Sequence, residues 1–150
     1  MKKYIGTKII EAEQAVRLDG KHVQPNDWPI PNDAAVEEGY RVVYPDGYES
    51  WSPKDVFEEA YRSANGLTFG LAIEAVKKGM KISRKGWNGK GQYVELASAI
   101  SYVGPDGKTV NANHSAIGNR ALAFVGTSGV QMGWLASQAD MLADDWEIVE

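Results

Sequence analysis

A chain of 150 residues with 43% apolar residues, no cysteine and a formal charge of −4 can build one domain or two small ones, and holds too much apolar side chain to stay unfolded. The lack of cysteine excludes a disulfide scaffold and a thiolate zinc site, and the acidic balance argues against a general binder of duplex DNA or RNA. No apolar run approaches the length of a membrane span, and residues 1–6 lack the apolar core of a secretion signal, so the expectation is a protein that stays in the compartment where it was made, with no membrane partner.

Charge divides unevenly. Residues 1–66 hold twelve acids against eight bases, while residues 67–150 hold eight of each. The chain opens on Lys3-Tyr4-Ile5-Gly6-Thr7-Lys8-Ile9-Ile10, too short and too rich in β-formers for a helix, which predicts a strand. Residues 17–38 carry Pro25, Pro29, Pro31 and several Asn and Asp residues, which predicts a loop, with Trp28 as a possible anchor. Tyr40-Arg41-Val42-Val43-Tyr44 and Tyr48-Glu49-Ser50-Trp51 flank Pro45-Asp46-Gly47, a hairpin pattern. Ser52-Pro53-Lys54-Asp55 then offers an N-cap, a proline for the first turn and an acid. These predict a helix to about Arg62 with Val56, Phe57, Ala60 and Tyr61 facing inward.

At Leu67 the character of the chain resets, which divides it into a small accessory module at 1–66 and a second domain at 67–150. Thr68 suits the cap of a helix whose apolar stripe is Phe69, Ala72, Ile73 and Val76, with Gly79 as the left-handed residue beyond its end. An antiparallel meander should follow, with strands near 80–84, 92–96, 99–103, 108–110 and 121–125. Gly104-Pro105-Asp106-Gly107 forms a turn within it. Ser137 and Asp140 have capping-box spacing for a short helix, and Trp146-Glu147-Ile148-Val149 reads as a closing strand. The fold class is therefore α+β and mainly antiparallel.

One stretch stands apart. Residues 75–94 carry Lys77, Lys78, Lys81, Arg84, Lys85 and Lys90 without one acid, around Gly86-Trp87-Asn88-Gly89. An aromatic ring on a glycine-bounded turn, an amide and nearby cations suit a nucleotide. The same residues also suit a plain hairpin turn with a core-covering indole and solvated lysines. Trp134, beside the start of the short helix, is a second ring able to stack, and the helix capped by Ser137 offers backbone N–H groups to an anion. Catalytic signals are weak. His114-Ser115 are mere neighbours, and His22 lies far from His114. The glycines at 86, 89 and 91 lack the Walker ending, and Asp140, Asp144 and Asp145 read as caps and surface in preference to a cation site. No cofactor or metal is expected.

Three segments carry a resemblance: Leu67-Thr68-Phe69-Gly70-x-Ala72-Ile73-x-x-x-Lys77-Lys78-Gly79, then Arg84-Lys85-Gly86-Trp87-Asn88-Gly89-Lys90, then Trp134-x-x-Ser137-x-x-Asp140-x-Leu142-Ala143-x-Asp145-Trp146-Glu147-Ile148-Val149. Together they resemble the second Thoeris anti-defence family of bacteriophages. The resemblance implies a homotetrameric sponge, not an enzyme, acting in the cytoplasm of the infected bacterium. It would bind without cleaving a cyclic ADP-ribose isomer made by TIR-domain enzymes. The alternatives are a sponge for the cyclic oligonucleotides of CBASS, or a non-catalytic phage structural or interaction protein. By the same resemblance, Trp87 and Trp134 would stack on the purine, and Asn88 and Asp140 would bond ribose or base edges. The Gly89 backbone with Arg84 would face the diphosphate, and Gly86 and Ser137 would belong to the same ligand-binding set. The first 66 residues look like a small module common in phage proteins.

Overall fold

The computed structural model describes residues 1–114 and 119–150, which gather into two compact units, Met1–Arg62 and Ser63–Glu150. The first contains strands β1 (Glu11–Leu18), β2 (His22–Pro25), β3 (Val36–Val43) and β4 (Glu49–Pro53), then helix α1 (Lys54–Ala60). Its antiparallel sheet has the order β2-β1-β3-β4.

Several expectations for this unit are corrected. Residues 3–10 form no strand here; regular pairing begins at Glu11, where β1 meets β3 in the register Glu11↔Val43. The predicted loop at 17–38 holds the end of β1, all of β2 and the start of β3. Asp19 and Gly20 both take positive φ (51° and 69°), and the Lys21 N–H donates to the Leu18 carbonyl at 3.0 Å, closing a tight turn between the first two strands. The expected hairpin between β3 and β4 is present, with Gly47 at φ 82° and the Asp46 carboxylate accepting from the Tyr48 N–H at 3.1 Å.

Helix α1 is not capped by Ser52, because β4 runs on through Pro53, whose partner is Gly39; Pro53 occupies the cap position without a side-chain bond. The helix stops at Ala60, since Tyr61 is extended (φ −121°, ψ 152°). Val56 is exposed and Phe57 does the packing, stacked on Tyr40 at 4.0 Å and on Tyr61 at 4.8 Å. Ala15, Val16, Leu18 and Val42 fill the small core.

The second unit comprises α2 (Phe69–Lys77), β5 (Lys81–Arg84), β6 (Tyr93–Ala97), a small hairpin of β7 (Tyr102–Val103) and β8 (Thr109–Val110), β9 (Ala121–Gly126), β10 (Gly129–Met132), α3 (Gln138–Met141) and β11 (Trp146–Val149). Its antiparallel sheet runs β10-β9-β6-β5-β11, so the meander is closed on one edge by the last strand of the chain. Thr68 caps α2, its hydroxyl accepting from the Leu71 N–H at 3.4 Å, and Gly79 adopts φ 88° beyond the end. Ala72, Ala75 and Val76 of α2 lie on Leu67, Ile82, Val94 and Trp146 to make the core, and Trp146 is wholly buried. The strand β10 was not foreseen. It begins at Gly129, at φ 135°, and pairs Val130 with Val125.

Candidate functional site

The Gly86-to-Gly91 turn joins β5 to β6, which places Trp87 just beyond Arg84, the last residue of β5. The left-handed glycine of this turn is Gly91 (φ 71°); Gly86 and Gly89 are not at positive φ. Their small size answers to their own chain instead. A Cβ at Gly86 would lie 3.2 Å from the Asp145 carboxylate, and one at Gly89 would run into the Gln92 side chain.

Trp87 is half-buried and is the hub of an aromatic cluster. It meets Phe124 (5.3 Å), Trp146 (5.4 Å) and Trp134 (6.0 Å) edge to face, while Phe124 and Trp134 stack on each other at 6.4 Å. Such pairs add about 0.5–1.5 kcal/mol beyond area burial. The sheet order explains the gathering: β9 supplies Phe124, β11 supplies Trp146, and the Trp134 N–H is held by the Leu122 carbonyl at 2.9 Å. Of the two rings named from sequence, neither is sealed in the interior, since Trp134 is half-buried too.

Beside the rings lies a polar knot. Asp140 accepts from Arg84 Nη1 at 3.0 Å and from Trp87 Nε1 at 3.4 Å through one oxygen. Through the other it accepts from the Ser137 N–H and hydroxyl at 2.9 and 2.8 Å. Arg84 also donates to both oxygens of Asp145, at 2.8 and 3.4 Å, and Asp145 accepts the Gly86 N–H at 3.2 Å. The Trp146 indole N–H donates to the Asp140 carbonyl at 2.8 Å.

This knot changes two sequence expectations. Arg84 is not an open cation aimed outward, because two carboxylates already meet its guanidinium. The start of α3 is not free for an anion, because the expected capping box is complete: Ser137 Oγ takes the Asp140 N–H and the Asp140 carboxylate occupies the Ser137 N–H. The open groups are Asn88, Lys85 and Lys90, all exposed on the same turn. Sequence reasoning had not placed Asp145, Phe124 or Trp146 in the site. The spacing of Asp140 and Asp145 from the last motif was visible, but their convergence on Arg84 was not. Of the other catalytic candidate, His114 is exposed at φ 51° and Ser115 lies outside the described residues.

Burial pushes the Asp140 carboxyl upward, but the bonds from Ser137, Arg84 and Trp87 outweigh it and hold the group below the usual range. Arg84, first of all, holds Asp145 low as well. A carboxyl whose pKa is depressed on folding contributes stability at pH values above its ordinary value of about 3.9, and this is lost as pH falls through the folded value. Lowering the pH below about 4 should therefore destabilise the second unit, with a dependence on pH that Asp145→Asn reduces. Denaturant melts followed by tryptophan fluorescence at a series of pH values read this directly.

The fold and site define a small α+β domain with an aromatic cluster pinned to a charged knot at one end of its sheet. The model of the Thoeris anti-defense 2-like domain matches residues 67–149. Thoeris anti-defense 2 of Bacillus phage SP01 is 36% identical over 86 residues, which span 55% of this chain and 94% of that protein. The chain belongs to the Thoeris anti-defense 2-like family, and its residues 67–149 are the anti-defence domain. Among the described residues no helix is long and apolar enough to cross a membrane.

Proposed function

We propose that residues 67–150 bind and hold, without cleaving it, a cyclic ADP-ribose isomer made by TIR-domain enzymes in the cytoplasm of the infected host, so that the Thoeris effector is not activated. The observation that carries this reading is the half-buried Trp87 indole, fixed edge-on by three other rings and tied through Nε1 to Asp140, with exposed Asn88 and Lys85 on either side of it in the chain. A ring immobilised in advance loses little freedom when a base stacks on it, which favours tight retention. Trp134 is the second stacking ring. Asn88 addresses ribose or base edges and the turn backbone at Gly89 faces the diphosphate, while Asp140 and Gly86, whose polar groups are taken up in the knot, hold the indole and the turn in place. Arg84 serves this site by positioning Asp140 and the turn, and Lys85 and Lys90 supply the charge that a diphosphate needs.

Sequestration requires ground-state affinity and no transition-state stabilisation, which fits a site made of rings, amides and paired charges. Assembly as a homotetramer suits the exposed apolar residues Val130 and Met132 on the edge strand β10 and the nearly bare Leu135 and Leu142. The test is to load the protein with the signal, remove the excess, and heat-denature the complex. The released nucleotide should have an unchanged mass; a linear or shortened product would establish an enzyme instead, and an empty protein would end the nucleotide reading.

A further inference from the structure

Residues 3–10 pose a question of their own. Their composition is that of a strand, yet among the described residues no strand pairs with them, and Tyr4 and Ile5 are 88% and 92% exposed, with Ile9 at 36%. Such a segment presents unpaired backbone groups to whatever can add to it. It leads without a break into β1, whose first half, residues 11–14, is paired with β3 on one side. On the other side β2 reaches only residues 15–18 and leaves residues 11–14 open.

The order of residues here is nearly symmetric about Thr7. Counting outward, Gly6 is matched by Lys8, Ile5 by Ile9, Tyr4 by Ile10, and Lys3 by Glu11. An antiparallel pair of two such segments with its two-fold axis at Thr7 would set isoleucine against isoleucine, tyrosine against isoleucine, and lysine against glutamate at each end. Charge agrees with this on a larger scale. Residues 1–10 hold three lysines and no acid, while residues 11–62 hold twelve acids and five bases, so the segment is attracted to the rest of the first unit in another copy.

We propose that the first unit is a dimerisation module in which residues 3–11 of two copies pair antiparallel about Thr7, extending the two β1 strands into one another. A free two-stranded ribbon is marginal in water, but here each strand is anchored in a four-stranded sheet, so the pairing joins two existing sheets. Thr7 of one copy faces Thr7 of the other, the two Cα atoms falling at the separation that a disulfide spans.

Because the chain has no cysteine, the full-length Thr7→Cys protein tests this cleanly. Under mild oxidation it should form a cross-linked dimer at least about tenfold faster than Asp33→Cys, an exposed position on the same unit, because the paired thiols share a high effective concentration. Adding Ile5→Pro, which removes a backbone donor and bends the strand, should return the rate to that of the control. Equal rates for the two cysteine variants, or an unchanged rate with Ile5→Pro, would overturn the proposal. Neither result depends on whether the second unit holds a nucleotide.

Discussion

Trp87→Ala should lower affinity for the cyclic nucleotide by about tenfold to a hundredfold, the loss of one base-stacking contact worth about 1–3 kcal/mol. Calorimetry with cyclic ADP-ribose isomers measures it. The ring also braces Phe124, Trp134 and Trp146, so its removal loosens the cluster as well as the contact surface. Trp87→Phe separates the two effects. It keeps an aromatic face but deletes the Nε1 donor to Asp140, and should retain a large share of the binding. If Trp87→Ala melts like the parent chain and still takes up the signal undiminished, the aromatic cluster is not the binding site.

Asp140→Ala should be the most disruptive single change in the polar knot. One carboxylate there receives Arg84, the Trp87 indole and two donors from Ser137, and the side chain is only 13% exposed. Removing it strips Arg84 of one of its two acids and opens the capping box of α3. The expected cost is about 2–4 kcal/mol in unfolding free energy, since partly buried donors are left without acceptors. A urea midpoint within error of the parent would show that the knot is incidental to the fold. Asp140→Asn, which keeps an acceptor but no charge, should fall between the two.

Local chemistry was what the sequence displayed best. Thr68 and Gly79 marked both ends of α2, and Ser137 with Asp140 marked a capping box that forms as written, because caps and left-handed glycines depend on residues within a turn of one another. The Asp46-Gly47 and Asp106-Gly107 turns were legible for the same reason, with both glycines at positive φ. Asp19-Gly20 carried an equally strong hairpin signal but was absorbed into a stretch dominated by prolines, so β2 went unrecognised.

What could not be read locally was the result of pairing across distance. Arg84 and Asp145 lie 61 positions apart and meet only because Trp146 of β11 pairs with Arg84 of β5. That register turned a segment of cations into a structural anchor at its centre, and it made the fully buried Trp146 the floor beneath Trp87. The exposed strand-like residues at the start of the chain illustrate the converse: β-propensity is expressed only where a neighbour is available to pair with.

The second unit is also sewn shut. The Leu67 N–H donates to the Trp146 carbonyl at 2.8 Å, the Trp146 N–H returns to Leu67 at 3.2 Å, and the Ile148 N–H reaches the Ala64 carbonyl at 2.8 Å. Entry and exit of the polypeptide are thus fastened side by side, so extra sequence can be spliced on at that seam without disturbing what lies beyond it. A domain with such a hem can stand behind another module, as residues 63–150 stand behind 1–62 here, or make up nearly the whole of a chain, as in the Bacillus phage SP01 protein matched over 94% of its length.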